Sequence, residues 1–173
     1  MARRIDQHEF ATRLREHRGL IVKVAGIYAS TLEDRLDLEQ EISVQMWRAF
    51  GSYDESKAKF STWLYRIALN VAISQRRRRR DDARVEPLEA HHLADLAQDA
   101  DGEPDERLTA LYRFIAALDA LNRALILLYL EDRSYAEIAE ILGISETNVA
   151  TKINRIKQKL RGQMTAADML TRA

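Results

Sequence analysis

The sequence predicts an all-α protein made of two small helical domains that are joined by an acidic linker. Apolar residues recur at helical spacing on both sides of the linker, and nowhere do they alternate with polar residues as in a strand. Only 6 Gly and 2 Pro occur in 173 residues, which favours long helices with few breaks. Both prolines lie in or beside the acidic segment 86–106, so we expect one domain over 1–85 and another over 107–173.

The N-terminal domain is predicted to contain helices separated by one clear break. Apolar residues keep roughly helical spacing over 10–28. A further helix is expected to begin near Asp34 or Asp37, since aspartate suits the N-terminal cap. The segment 51–54, Gly-Ser-Tyr-Asp, interrupts the pattern. The next helix is predicted to begin near Ser61 and to run into a series of arginines.

The C-terminal domain is predicted to begin with helices over 106–121 and 123–131. Shorter elements follow, and the last helix is expected to end near Gly162. The longest apolar run of the chain, 124–130, lies in the second of these helices. A membrane-spanning helix needs about 20 apolar residues. We therefore expect a buried helix there and no membrane insertion.

A helix-turn-helix is predicted over 134–149. Ser134 can cap a short helix together with Glu137, three residues on, which is the spacing of a capping box. Gly143 suits the left-handed conformation at the end of that helix. Ser145 can then cap the next helix. A short helix, a glycine turn and a capped second helix make up the helix-turn-helix signature.

The second helix of this motif has the two faces that a DNA-reading helix needs. Its apolar side chains recur at 149, 153, 156 and 160 and are expected to pack inward. The N-terminal part of such a helix meets base edges in the major groove, where Arg pairs with guanine and Asn with adenine. The candidate DNA contacts are Thr147, Asn148, Thr151, Lys152 and Arg155. The alternative is that these charges only solvate a surface helix.

The formal net charge is zero, but the charges are not evenly distributed. Residues 1–85 carry +5, residues 86–106 carry −8 with no basic side chain, and residues 107–173 carry +3. Fields are local at physiological salt, where the Debye length is about 8 Å. Each basic block can therefore meet phosphate by itself. The acidic linker could also fold back on the basic domains and weaken DNA binding by the free protein.

A second candidate nucleic-acid site lies in the N-terminal domain, where aromatic side chains alternate with Arg and Asn. Aromatic rings stack on unpaired bases, and arginines follow the backbone of a single strand. The candidate contacts to melted DNA are Phe60, Trp63, Arg66 and Asn70, followed by Arg76, Arg77, Arg78, Arg79 and Arg80. Two alternatives stay open: the rings could be ordinary core, and the arginine run could be a solvated helix end that the helix dipole favours.

The sequence gives no indication of catalysis. There is no Cys, which excludes thiolate chemistry and disulfides and fits a reducing compartment. The four His are scattered, and the adjacent His91 and His92 would point apart on a helix, so we expect no metal site. No phosphate-binding glycine loop occurs, and no export signal follows the basic start. We expect a cytoplasmic, non-enzymatic protein without a cofactor.

Three motifs occur in order along the chain: Asp37-Leu38-Glu39-Gln40-Glu41, the segment from Phe60 to Asn70, and the helix-turn-helix. Together they resemble the sigma factors of bacterial RNA polymerase, above all the small extracytoplasmic-function (ECF) group. The resemblance extends over nearly the whole chain, apart from the linker and the last ten or so residues. It implies promoter-specific transcription initiation, with a region 2-like domain over 1–85 and a region 4-like domain over 107–173.

The resemblance also implies roles for the matching residues. Asp37, Gln40 and Glu41 would dock on the clamp of the largest polymerase subunit. The segment from Phe60 to Asn70 would lie at the minus-ten element, where a base is flipped from the opened duplex, and the arginine run would hold nearby backbone. The helix-turn-helix would read the minus-thirty-five element. An anti-sigma factor is an expected partner.

Two departures from the family pattern and two rival functions accompany this interpretation. Ser74 stands where the family often has an acidic residue, and Ala150 where it often has a basic one, which leaves the promoter sequence open.

The first rival function is that of a stand-alone helix-turn-helix regulator, which would act without polymerase. An adaptor would bind other proteins through its helices. Only a sigma factor would let core polymerase initiate.

Overall fold

The computed structural model describes residues 6–81 and 106–171, with side chains up to 79 in the first range and up to 165 in the second. These residues form eight helices and no strand, which confirms the all-α prediction. None of the described helices is both long and apolar enough to span a membrane. The helices are α1 (Gln7–Glu16), α2 (Arg18–Tyr28), α3 (Leu32–Phe50), α4 (Phe60–Asp81), α5 (Glu106–Ala117), α6 (Ala120–Leu130), α7 (Tyr135–Leu142) and α8 (Glu146–Thr171).

The chain divides into two compact units between Ala116 and Ala117. In the first unit, α2, α3 and α4 pack against one another, and α1 lies against α2 and α3. The core side chains with no more than 1% of their surface exposed are Val24, Ala25, Ile42, Met46, Leu64, Ala68, Leu69 and Ala72. Burying a single Ile, Met or Leu of this set stabilises the fold by about 1.5–3 kcal/mol.

The helix ends of the first unit differ from the predicted ones by a few residues. Thr31 caps α3, because its hydroxyl accepts a hydrogen bond from the Asp34 amide at 3.1 Å, so neither aspartate is the cap. The apolar pattern over 10–28 is shared by two helices that meet at His17. Helix α4 begins at Phe60, one residue before the predicted start. Caps of similar quality stood close together in the sequence, and tertiary packing selected among them.

Aromatic side chains fill the end of the first unit where α1, α3 and α4 meet. Phe10 has ring centroids at 5.1 Å from Trp47 and 5.2 Å from Phe50, both in edge-to-face geometry. Phe60 lies 6.5 Å from Phe50, again edge to face. Such pairs contribute about 0.5–1.5 kcal/mol beyond the area that they bury. This cluster therefore anchors the short helix α1 to α3 and connects α3 with α4.

An ion pair joins the other ends of α3 and α4. A guanidinium nitrogen of Arg79 lies 2.6 Å from a carboxylate oxygen of Asp34. The hydrogen bond from Arg79 lowers the pKa of the Asp34 carboxyl below its ordinary value, against the smaller opposing effect of burial. Arg79, the fourth residue of the arginine run, thus acts within the fold.

The second unit contains α6, α7 and α8, which all contact one another. Its most buried side chains include Leu125, Leu128, Ile138, Val149 and Ile153. Arg123 is only 1% exposed, and its Nε donates a hydrogen bond of 2.9 Å to the Leu118 carbonyl. The break between α5 and α6 falls earlier than predicted because Asp119 caps α6 by accepting from the Asn122 amide at 3.0 Å.

Helix α8 does not stop at Gly162, as the sequence suggested, but continues to Thr171. An interior glycine costs a helix only about 1 kcal/mol relative to alanine. The residues that follow, Gln163 and Met164 first, favour helix, so the pattern carries on through the glycine.

The Asp34–Arg79 pair generates a stability prediction with a defined pH dependence. Arg79→Gln is expected to lower the free energy of unfolding by about 0.5–1 kcal/mol at neutral pH, because the pair is partly exposed. Folding lowers the pKa of Asp34, so the pair's contribution is complete above the ordinary Asp pKa of about 3.9. It disappears as the pH falls through the lower folded-state pKa.

Urea denaturation at neutral pH and at about pH 2 measures this difference. Arg77→Gln is the matched control, since it removes the same charge from an exposed position on the opposite side of α4. The control should unfold like the wild type at neutral pH. A gap between Arg79→Gln and wild type that persists unchanged in acid would contradict the assignment.

Candidate nucleic-acid interface

The turn of the helix-turn-helix is built by local hydrogen bonds. The Ser134 hydroxyl accepts from the Glu137 amide at 3.2 Å, and the Glu137 carboxylate accepts from the Ser134 amide at 3.0 Å, which completes the capping box. Gly143 ends α7 in the left-handed region with φ 68°, and its amide donates to the Ala139 carbonyl at 2.9 Å. The Ser145 hydroxyl accepts from the Asn148 amide at 3.1 Å at the start of α8. All three predicted signals are confirmed.

The five predicted base-reading residues share one face of α8. A helix turns by about 100° per residue, so Thr147, Asn148, Thr151, Lys152 and Arg155 span an arc of about 140°. All are exposed except Lys152, which is half-buried. The buried residues Val149, Ile153 and Ile156 lie on the opposite side. The structure therefore brings the predicted set together and presents it to solvent.

The basic residues further along α8 do not act alike. Lys159 is exposed one turn beyond Arg155 on the same face, and it is absent from the predicted set. The register of α8 alone could have found it. Lys157 points elsewhere: its ammonium lies 3.1 Å from the Tyr129 hydroxyl and 5.0 Å from the centre of that ring. Its charge is used inside the second unit.

A polar stripe runs along the exposed side of α4. Trp63, Arg66, Asn70, Ser74 and Arg77 follow one another at intervals of three or four residues, so they lie on one face. Arg66, Asn70, Ser74 and Arg77 are exposed, and Trp63 is half-buried at the start of the stripe. With a rise of about 1.5 Å per residue, the stripe is about 21 Å long. We call this surface the α4 stripe.

Phe60 does not belong to the α4 stripe. Only 6% of its surface is exposed, and its ring lies against Tyr53 at 5.3 Å, Trp63 at 5.3 Å and His17 at 4.7 Å. The structure thus favours the alternative that this ring is core, and a direct contact of Phe60 with a base is not supported. Trp47 is likewise packed in the aromatic cluster.

The arginine run does not form one surface, because consecutive helical residues point 100° apart. Arg77 is exposed on the α4 stripe, whereas Arg79 is paired with Asp34. Arg76 is half-buried on the side of α4 that faces the core, and Arg78 lies beside α3. The side chain of Arg80, like His91, His92 and nearly all of the acidic linker, lies outside the described residues. The described arginines of the run therefore point to different sides of α4, and their contact with the DNA backbone stays a prediction.

The two candidate sites of the first unit are neighbours. Asp37, Gln40 and Glu41 are exposed on α3, and they line one wall of a groove whose other wall includes Asn70 and Arg78 of α4. We call it the α3–α4 groove. The three predicted docking residues and part of the α4 stripe thus line the same groove.

Two apolar residues beside this groove were missed by the sequence reasoning. Leu36 is 53% exposed and Val44 is 37% exposed, and they stand four residues before and after Gln40 on α3. Exposed apolar side chains at helical spacing, flanked by polar ones, are typical of a protein interface. The apolar spacing of α3, read for its outer face, was the signal that could have found them.

Two family models and several curated proteins match this chain. Residues 14–81 match the family model for Sigma-70 region 2, and residues 108–160 match the one for Sigma-70 region 4. The RNA polymerase sigma factor YlaC of Bacillus subtilis is 30% identical over 78% of this chain and 79% of its own length. The ECF RNA polymerase sigma factor SigW of the same organism is 29% identical over 92% of this chain and 90% of its own.

This chain belongs to the ECF sigma factors. The resemblance seen in the three sequence motifs is thereby confirmed, and the chain is a transcription initiation factor. The region 2 match contains the whole of α2, α3 and α4, and the region 4 match contains the helix-turn-helix.

Solved structures show the same fold. The sigma factor RpoE in its co-crystal structure with the anti-sigma factor NepR from Bartonella quintana superposes with a TM-score of 0.71 and 19% identity, over 91% of this sigma factor and 97% of that chain. CnrH, in complex with the cytosolic domain of CnrY, gives a TM-score of 0.67 and 24% identity, over 93% and 90% of the two chains.

Alanine substitutions at two glycines of the second unit are expected to change the stability of the protein in opposite directions. Gly143→Ala is expected to destabilise the protein by about 1–2 kcal/mol, since its φ of 68° disfavours any Cβ although no atom lies within 4 Å of the added carbon. Gly162→Ala, equally uncrowded but within helix α8, is expected to stabilise it by about 0.5–1 kcal/mol. Chemical denaturation measures both, and a neutral Gly143→Ala would show that the turn differs from the one described.

Proposed function

We propose that this sigma factor docks on RNA polymerase core through α3 and reads a promoter at two points, with the α4 stripe at the minus-ten element and α8 at the minus-thirty-five element. The division of labour would be 1–85 for core binding and melting, 86–106 as tether and 107–173 for upstream recognition. The observation that supports this most is the α3–α4 groove, where the docking residues and the DNA-facing stripe occupy adjoining walls.

Helix α8 suits duplex DNA. Its exposed face presents hydroxyl, amide and guanidinium groups near the helix start, which is where such a helix meets base edges. Arg155 and Asn148 offer the bidentate geometries that distinguish guanine and adenine, each with about 1–3 kcal/mol of discrimination. Lys159, one turn on, is placed to neutralise a phosphate. These contacts would read the minus-thirty-five element while it is still paired.

The α4 stripe is suited to binding single-stranded DNA. It combines one aromatic ring, an amide and two guanidinium groups along about 21 Å of helix. Trp63 is half-buried, so part of its ring is accessible to an unpaired base. Stacking on such a ring contributes about 1–3 kcal/mol per base. Arg66 and Arg77 would follow the phosphates. The buried Phe60 would act by supporting Trp63 from below.

The outer face of α3 suits a protein partner. Acidic Asp37 and Glu41 stand beside the exposed apolar Leu36 and Val44, with Gln40 between them. Desolvated apolar side chains would supply binding energy, and the flanking charges would set orientation. Such a face fits the clamp of the largest polymerase subunit. An anti-sigma factor that covered it would keep the sigma factor inactive in the cytoplasm, where initiation takes place.

Two weak DNA-binding units on one tether bind more tightly than either alone. Linking converts the second contact into an intramolecular event, which raises the overall affinity without any new contact. Each unit can therefore bind modestly and still select promoters that carry both elements. This arrangement requires no catalysis by the sigma factor itself.

Transcription with purified polymerase core tests the central proposal. Wild-type sigma factor should allow core to initiate from promoter DNA, which neither a stand-alone regulator nor an adaptor would do. Glu41→Arg should weaken core binding by about tenfold, because it reverses a charge at the docking face. Glu16→Arg, the same change at an exposed site on α1, is the control and should leave core binding unchanged. If Glu41→Arg binds core as tightly as wild type, the proposal that α3 forms the core-binding interface is wrong.

A matched pair of variants tests the proposed DNA-reading face of α8. Arg155→Ala should weaken binding to minus-thirty-five duplexes by about 1–3 kcal/mol and reduce the discrimination between bases at the position that Arg155 contacts. Lys157→Ala removes the same charge from a side chain held by Tyr129, so both quantities should stay near wild type. Fluorescence anisotropy with duplexes that differ at single base pairs, all at one salt concentration, measures them. Equal losses in both variants would mean that net charge, and not this face, determines binding.

A further inference from the structure

Arg13 of α1 joins the N-terminal helix to the loop 51–59 that precedes α4. Its guanidinium forms a hydrogen-bonded ion pair with Glu55. The same group lies 5.2 Å from the centre of the Phe60 ring and 5.7 Å from that of Tyr53. One turn earlier on α1, Glu9 approaches the Arg13 Nε at 3.5 Å. A single side chain thus contacts the loop through its charge and two rings through its flat surface.

The loop itself is folded by its own hydrogen bonds. One Asp54 carboxylate oxygen accepts from the Ser56 amide at 2.9 Å and from the Ser56 hydroxyl at 2.7 Å, and these bonds lower the pKa of Asp54. The Tyr53 hydroxyl donates to the Ala58 carbonyl at 3.2 Å. These bonds give the loop its shape. Its attachment to α1 comes from Glu55 and from the rings beneath Arg13.

The rings under Arg13 continue to the start of the α4 stripe. Trp63 has its ring centre 5.0 Å from that of Tyr53 and 5.3 Å from that of Phe60, in tilted geometries. The order of contact is therefore Arg13, then Tyr53 and Phe60, then Trp63. Close-packed aromatic groups transmit small displacements, because they leave few voids to absorb them.

We propose that Arg13 is a positioning residue for promoter opening, which holds the loop 51–59 and the Trp63 ring in the geometry that receives melted DNA. The proposal rests on the proposed function, in which Trp63 begins the face that meets the opened minus-ten strand. Arg13 contributes through the Glu55 pair and the two rings, and it leaves docking on polymerase and the upstream DNA contact unaffected. Both of those surfaces lie on other helices, α3 and α8.

A substitution at Glu55 distinguishes a positioning role of the ion pair from a purely electrostatic effect on DNA binding. Glu55→Gln removes a negative charge, so a purely electrostatic effect would strengthen binding to DNA. Loss of positioning would instead slow promoter opening. The two explanations therefore predict opposite signs for one substitution.

The experiment measures promoter opening by core polymerase with 2-aminopurine in the minus-ten element, for Arg13→Gln, Glu55→Gln and the double variant. Each single variant should open the promoter about fivefold more slowly, the effect of about 1 kcal/mol. The double variant should be no slower than the worse single one, because both remove one interaction. Arg15→Gln is the control: it removes the same charge from α1, where the hydrogen bonds of Arg15 go to Ala11 and Thr12 of its own helix.

Core affinity, binding to minus-thirty-five duplexes and the urea midpoint are measured for all variants. Both affinities should stay within twofold of wild type, and the urea midpoint should stay close to that of wild type. If wild-type protein opens no promoter with core, the proposed function fails. If wild type opens promoters but Glu55→Gln opens them faster, or Arg13→Gln behaves like Arg15→Gln, the positioning role is overturned. It is also overturned if Arg13→Gln loses opening, core affinity and stability in parallel, since that result describes a structural residue.

Discussion

An α-helix turns by about 100° per residue, and every surface of this sigma factor depends on that constraint. Helices α3, α4 and α8 each bury one side in a core, and the opposite side is fixed as soon as the buried one is chosen. The apolar residues therefore determine which polar residues face outward together. The residues that contact partners lie on the outer faces, and packing within each unit determines which residues those faces present.

The same constraint explains why neighbouring residues with one chemistry have different roles. Arg77 and Arg79 are two residues apart, yet one is exposed on the α4 stripe and the other is paired with Asp34. Lys157 and Lys159 differ in the same way, because Tyr129 holds the first and solvent surrounds the second. Counting charges along a segment overstates the number that can meet DNA. Helical register has to be applied before a basic run is treated as one surface.

Local features were predictable from the sequence, and long-range ones were not. The capping box at Ser134, the left-handed Gly143 and the outward face of α8 follow from rules that span a few residues. The burial of Phe60 could not be derived, because aromatic rings suit both a core and a base-stacking site. The Arg13–Glu55 pair joins residues 42 positions apart, which no local pattern reveals. The cap of α3 was misplaced because Thr31 and Asp34 are both good caps, and only the folded chain distinguishes them.

The α3–α4 groove has a consequence for where transcription begins. The predicted docking residues and the α4 stripe belong to two helices packed directly against each other. In the proposed arrangement, side-chain packing would therefore set the distance from the enzyme surface to the melted base. In that arrangement the tether between the units would not affect this distance. The start site would therefore stay constant, relative to the minus-ten element, when the spacing between the two promoter elements is varied.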